Sequence, residues 1–244
     1  MMEPDIAAVA GMVSDPTRAR ILWALADGRG LPAGELARRA GVTAQTASSH
    51  LAMLTRGGFL LMIPQGRHRY YRLANARVAH LLESMAAFAP ELPKEGGNRC
   101  APELRLARSC YHHLGGRLAV VITQAFVDHQ WLLEDGLSYR LTEVGEARFT
   151  DLGIDLAALK RGGKILARPC LDWSERRNHL AGELGRAIAD CLFENRWIRR
   201  VGFSRVIRLT ELGQEELERQ LGVVLAELSE KPTVEHTCIN DKKR

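Results

Sequence analysis

Cys110 and His113 stand three apart in Cys110-Tyr111-His112-His113-Leu114, and Cys170 stands in Arg168-Pro169-Cys170-Leu171-Asp172-Trp173. Thiolate and imidazole are the ligands that select soft metal and metalloid ions. On a helix, a spacing of three places Cys110 and His113 on one face. Arg168, Arg176 and Arg177 surround Cys170 in sequence. Positive charge favours the thiolate of a partly exposed cysteine. Other readings stay open for these residues. Cysteine and histidine commonly serve as plain buried core. A redox-reactive thiol pair is a third reading, and a pocket for an organic ligand lined by Trp131, Trp173 and Trp197 is a fourth. Asp172 with Glu175 three residues later also fits a capping box, which explains both acids structurally. Trp131 and Trp197 end equivalent segments and read as core anchors. Cys191 reads as core, while Cys100 and Cys238 fall in a linker and a tail. Cys170 with His179 or His113 would make a nucleophile–base pair. The chain has no Gly-rich phosphate loop, HExxH or nucleophile elbow, so an enzyme is not expected.

A second constellation is Thr43-Ala44-Gln45-Thr46-Ala47-Ser48-Ser49-His50-Leu51-Ala52-Met53-Leu54. Ala47, Leu51 and Leu54 have helical spacing, yet the other face carries Thr, Gln, Ser and His, which are weaker helix formers than Ala or Leu. That surface suits a major groove about 12 Å wide. Gln can pair with adenine, Ser and Thr can reach base edges or phosphate, and no acid repels the backbone. Thr43 also caps the helix. Arg56, and Arg67 and Arg69 on a following hairpin, would reach phosphates or the minor groove.

The whole chain has 244 residues, 46% hydrophobic and 26% charged, as in soluble globular proteins. No apolar run approaches a membrane span, and the N-terminus lacks the basic region of a secretory signal. Five scattered cysteines without a CxxC pair suggest a reducing cytoplasm. The net charge is +5, but residues 29–77 hold eight Arg against Glu35 alone, or +7. A basic segment on a near-neutral body points to a polyanionic partner, here double-stranded DNA.

Positioning these residues requires the following elements. Residues 6–26 read as helices broken near Ser14-Asp15-Pro16. Residues 33–40 and 43–56 form two helices around a Gly41-Val42 turn. Residues 59–73 form a hairpin turning at Pro64-Gln65-Gly66, and residues 77–89 an amphipathic helix. The expected class is mainly α with small β-hairpins: a winged helix-turn-helix over 1–92, a linker at 93–102, a duplicated domain at 103–230 and a disordered tail at 231–244. The duplication rests on residues 113–134 and 179–200, which align without a gap. Six of 22 positions are identical (His113/His179, Leu114/Leu180, Gly116/Gly182, Leu118/Leu184, Ile122/Ile188, Trp131/Trp197), where background usage gives roughly one or two. Each copy reads as helix, two strands, Leu-Thr and a short helix, like a degenerate winged helix without a groove-reading face.

The opening Val13-Ser14-Asp15-Pro16-Thr17-Arg18-Ala19-Arg20-Ile21-Leu22, the run GELARRAGVTAQTASSHLAMLTRGGFL and the wing GRHRYYRL resemble the ArsR/SmtB family of bacterial winged-helix repressors, over roughly residues 5–92. The resemblance implies a homodimer paired through helices near 6–13 and 77–89. It implies an inverted-repeat operator that an inducer releases, with Gln45, Thr46, Ser48, Ser49 and His50 facing DNA. The family's metal sites are missing here. GLPAGELA has no cysteine, Met53 and Gly57 stand where cadmium and lead sensors carry theirs, and the zinc-site positions hold Asn75, Arg77, Phe88 and Glu91. His80 and Glu83, three apart on the helix near 77–89, offer only two ligands, and His80 reads rather as a solvated or interface histidine. The sensor is therefore expected in the second half, at Cys110, His113, Cys170, Asp172 and Trp173. A soft metal or metalloid ion is one candidate inducer and a small organic molecule another.

Overall fold

The computed structural model describes residues 3–66, 68–90 and 102–223. α1 (Ile6–Val13) starts where the Asp5 carboxylate accepts from the Ala8 N–H at 2.9 Å. α2 (Pro16–Ala24) is capped by Asp15 and has Pro in its first turn, where a missing N–H does no harm. β1 (Leu31–Pro32) leads into α3 (Ala33–Ala40), which stops at Gly41 with φ of 71°, a left-handed position that glycine takes without strain. α4 (Ala44–Arg56) follows, then β2 (Leu60–Gln65) and β3 (His68–Leu73). The pairing runs from Leu60↔Leu73 to Gln65↔His68, so Pro64 and Gln65 belong to the strand rather than the turn. The sheet order is β1-β3-β2, and β2 is an edge strand where Pro64 removes no needed donor. α5 (Ala76–Phe88) closes the domain, capped by Asn75. Ile21, Leu22, Leu25, Leu36, Leu51 and Leu54 form its buried centre. This is a winged helix-turn-helix.

The second half runs twice through one order of elements. First come α6 (Pro102–Leu106), β4 (Arg108–Cys110), β5 (His113–Gly115), α7 (Arg117–Asp128), β6 (Leu132–Asp135), β7 (Ser138–Leu141) and α8 (Glu143–Asp151). Then come α9 (Leu156–Arg161), β8 (Arg168–Leu171), β9 (Asn178–Ala181), α10 (Gly182–Glu194), β10 (Ile198–Arg200), β11 (Ile207–Leu209) and α11 (Glu211–Leu221). Local details repeat as well. Thr142 caps α8 and donates to the Trp131 carbonyl; Thr210 caps α11 and donates to the Trp197 carbonyl. Gly145 and Gly213 lie so close to those two carbonyls that a Cβ would collide with them. Trp131 stacks on Phe126 at 5.3 Å and meets Phe149 edge-on, so it is a core anchor as expected.

Each helix–hairpin–helix unit carries a hairpin ahead of its long helix that sequence periodicity does not suggest. Residues 113–115 and 178–181 are strands, too short and too rich in Leu, Gly and His to show a period of two. Cys110 and His113 are therefore not on one helix face. They are facing residues of the β4–β5 pair, as Cys170 and His179 are of β8–β9. Asp172 and Glu175 likewise cap no helix; they lie in the turn between β8 and β9. The two units interlock: α7 packs on β9 and α10 on β5, and β5 lies against β9. Pro102 opens α6; the remainder of the expected linker and the tail at 231–244 lie outside the described residues.

Arginines of the second half fasten it to the first. Arg205 donates to the carbonyl of Ala26 just beyond α2, and its N–H to that of Asp27. Arg176 donates to the carbonyls of Ala87 and Ala89 at the end of α5. Positive charge at these helix C-termini offsets their dipoles. Trp173 meets Trp23 edge-on at 5.0 Å.

Candidate functional sites: an exposed polar helix and a buried Cys/His cluster

α4 buries Ala47, Leu51 and Leu54 and exposes the opposite face. Thr43, Gln45, Thr46, Ser48, Ser49 and Arg56 are all exposed. The Thr43 hydroxyl accepts from the Thr46 N–H at 3.2 Å, which starts the helix one residue later. Ser48 donates to the Ala44 carbonyl at 2.8 Å, leaving its oxygen free to accept from a base edge or a cation. His50 is half-buried, with Nδ1 3.8 Å from Asp15, so it is turned partly inward against the cap of α2. Arg69 on β3 is exposed, whereas Arg67 lies outside the described residues. On α3, Arg38 and Arg39 share the single carboxylate of Glu35, and Arg29 pairs with Asp27.

The second site is buried. The metal-binding atoms of Cys110, His113, Cys170 and His179 all lie within 4.8 Å of one another. His113 and His179 face each other, Nε2 to Nε2, at 3.1 Å. Burial holds the His113 imidazole below its ordinary pKa. Burial acts the same way on His179, but the Asp172 carboxylate and Cys110 together outweigh it and raise that imidazole. Asp172 Oδ2 lies 3.3 Å from His179 Nδ1, close enough for attraction but out of line for a hydrogen bond. The Cys170 thiol is pushed down by its contact with Cys110 and by Arg168, against the effect of burial.

Asp172 is wholly buried and fully engaged. Its Oδ2 accepts from Arg108 at 2.9 Å and from the Gly116 N–H at 2.7 Å, and its Oδ1 from Ser174 and Glu175. Burial alone would raise this carboxyl; His179, Arg108 and Ser174 hold it well below the usual carboxylate range. Arg108, also buried, continues from Asp172 to Glu83 on α5, where its Nε donates at 2.7 Å. Glu83 Oε1 further accepts from Trp173 Nε1 at 3.0 Å and lies 2.9 Å from Arg205. Glu83 Oε2 accepts from the Cys110 thiol at 3.5 Å. Half-buried His80 lies beside Cys110, and that thiol raises its pKa.

Of the five sensor residues expected from sequence, the structure thus brings Cys110, His113 and Cys170 into one cluster and places Asp172 behind His179. Trp173 is engaged otherwise, between Glu83, Trp23 and the Arg108 guanidinium 4.9 Å from its ring. Sequence reasoning left His179, Glu83 and Arg108 out of that set. The repeat alignment carried the sign for His179, which sits opposite His113. Glu83 is the joint between the halves.

A winged helix with a polar exposed second helix, joined through a buried ionic network to a further domain, has the form of a DNA-binding regulator. A helix-turn-helix domain model matches residues 13–63. The chain is 39% identical over 226 residues to the HTH-type transcriptional regulator YdfF of Bacillus subtilis (strain 168), covering 91% of this chain and 99% of that protein. It is 39% identical over 82 residues to the HTH-type transcriptional regulator CmtR of Mycobacterium tuberculosis (strain ATCC 25618 / H37Rv), covering 34% of this chain and 69% of that one. The solution structure of the cadmium metal-sensor CmtR from Mycobacterium tuberculosis aligns at 32% identity and a TM-score of 0.31, over 39% of this chain and 96% of that one. The protein belongs to the HTH-type transcriptional regulators, with a winged helix-turn-helix at its N-terminus. It is a DNA-binding transcriptional regulator and not an enzyme. Among the described residues, no helix is long and apolar enough to cross a membrane.

Proposed function

We propose that the protein is a cytoplasmic, dimeric repressor that binds an inverted-repeat operator and is released by a soft metal or metalloid ion sensed in its C-terminal half. Thr43, Gln45, Thr46, Ser48 and Ser49 face the major groove, with His50 at the edge of that surface. Arg56, Arg67 and Arg69 take the phosphates. Dimerisation through α1 and α5 is supported by apolar side chains left in solvent: Ile6 and Val9 on the first, Met85 and Phe88 on the second, with Phe88 85% exposed.

The observation that carries the sensing half is the Cys110–Glu83 contact. It ties the thiol cluster directly to α5, a helix of the DNA-binding domain. An ion that draws Cys110 into its own coordination competes with that contact and alters how α5 is held. The tryptophans are spent on the core and on Glu83, which disfavours an aromatic pocket for an organic inducer. An oxidant acting on Cys110 and Cys170 is the second reading, favoured by the lowered Cys170 thiol.

A gel shift on the DNA upstream of the protein's own coding sequence tests the proposal. The complex should be lost on adding a soft ion and restored by a chelator. Release by oxidant alone, reversed by thiol reductant, would establish the second reading instead. Release by neither would sink both thiol-based readings.

A further inference from the structure

We infer that Cys110, His113, Cys170 and His179 constitute one tetrahedral two-sulfur, two-nitrogen site for a single soft divalent cation of the Zn2+ or Cd2+ class. The inference takes its regulatory meaning from the function proposed above but stands on geometry of its own.

The construction of the site is symmetrical. Each hairpin supplies one cysteine and one histidine at facing register positions, Cys110↔His113 and Cys170↔His179. β5 lies against β9, so the two pairs meet where the units interlock. Gly115 allows that approach: a Cβ there would stand 2.9 Å from Cys110 Cβ and 3.6 Å from His179 Cε1. Neither hairpin alone holds more than two ligands.

The dimensions suit a small tetrahedral ion. Zn–N bonds of about 2.0–2.1 Å place two nitrogens about 3.3 Å apart at the tetrahedral angle, and Zn–S bonds of about 2.3 Å place two sulfurs about 3.8 Å apart. The Nε2–Nε2 separation is 3.1 Å, and no pair in the set exceeds 4.8 Å. Contraction by about an ångström at most completes the coordination shell. Two thiolates and two neutral imidazoles balance a divalent charge, which a site this deeply buried requires.

Three of the four neighbouring carboxylate oxygens are held by other donors, and only Glu83 Oε2, 3.5 Å from the Cys110 thiol, faces the cluster. Glu83 Oε1 is held by Arg108, Arg205 and Trp173, and Asp172 Oδ2 by Arg108 and Gly116. Asp172 instead stands behind His179 at Nδ1, a buried nitrogen with no hydrogen-bond partner. A small turn of the ring would bring Nδ1–H into line with Asp172, the outer-shell arrangement that orients ligating histidines in metal sites.

The test is a Co2+ titration of the full-length, chelator-stripped, thiol-reduced protein without DNA, followed by Zn2+ competition. One Co2+ per chain should bind, with a near-ultraviolet thiolate-to-cobalt band and the intense visible bands of tetrahedral geometry. Zn2+ should displace it. X-ray absorption of the Zn2+ form should show two sulfurs at about 2.3 Å and two nitrogens at about 2.0–2.1 Å; this requires no substitution. Cys110→Ser and Cys170→Ser should each halve the thiolate band and weaken binding at least about 100-fold, since losing even an outer-shell partner costs 10–100-fold. Cys191→Ser, outside the cluster, should change neither. An oxygen–nitrogen shell without sulfur, weak octahedral bands, or binding unchanged in Cys170→Ser would overturn the site. Because no DNA is present, the ion can bind here even if it fails to release the operator. Conversely, operator release by an organic effector with no ion bound would leave the regulator standing and remove the metal site's role.

Discussion

Glu83 and Arg108 lie on different halves of the chain and meet at 2.7 Å, both almost fully buried. Burial works against the charge on each. Arg108 and Arg205 nonetheless keep the Glu83 carboxyl below its ordinary range, and the two carboxylates keep Arg108 above its own. The pair joins α5 of the winged helix to β4 of the appended domain. An arginine shared between Glu83 and Asp172 therefore links the DNA-binding domain and the Cys/His cluster in one ionic chain.

Removing the shared cation should be severe. Arg108→Ala takes from two buried carboxylates a cation they share, a change that typically costs about 3–5 kcal/mol. Urea unfolding should show that loss. A midpoint within error of wild type would mean that the carboxylates find water or Arg205 instead.

The same network sets a pH dependence. A carboxyl whose folded pKa is depressed adds stability above its unfolded value, about 4.3 for Glu, and loses it as pH falls through the folded value. Wild type should therefore be more stable than Glu83→Gln at pH 7, and the gap should close in acid. A gap constant from pH 7 to pH 3 would show that Glu83 acts through packing and not through charge.

On DNA, Arg67→Ala and Arg69→Ala together should weaken binding to every duplex alike. The slope of log affinity against log salt should fall by about 0.9 for each phosphate no longer neutralised. An unchanged slope removes the wing from the interface.

Gln45→Ala should act differently, because Gln45 is exposed on the polar face of α4. Without its side-chain amide on a base edge, binding to the operator should weaken by about 1–3 kcal/mol, and binding to random DNA by little. Equal losses on both would take Gln45 out of base readout.

The N-terminal fold was legible because its cues are local. Thr43 caps α4, Asp15 caps α2 at the expected break, Gly41 ends α3, and the Ala47/Leu51/Leu54 stripe faces inward as its spacing requires. Sequence was weaker at the short hairpins of the second half. Three- and four-residue strands carry almost no periodicity, so Cys110 and His113 read as helical neighbours when they are cross-strand partners. Where the repeat alignment reads one helix from residue 113 and another from 179, each long helix is instead preceded by a short strand, at 113–115 and 178–181.

Sequence by itself determined a basic winged helix with a polar, acid-free second helix, because capping, helical spacing and charge balance act over a few residues. It also supplied the cysteines and histidines, though not their meeting. Only tertiary structure decided that Cys110 and His113 lie opposite Cys170 and His179, some sixty residues on, and that Glu83 reaches across from α5. The reason is physical. Which buried polar groups share a partner depends on how β5 packs on β9 and how the second half docks on the first, and chain spacing does not encode distances across such contacts.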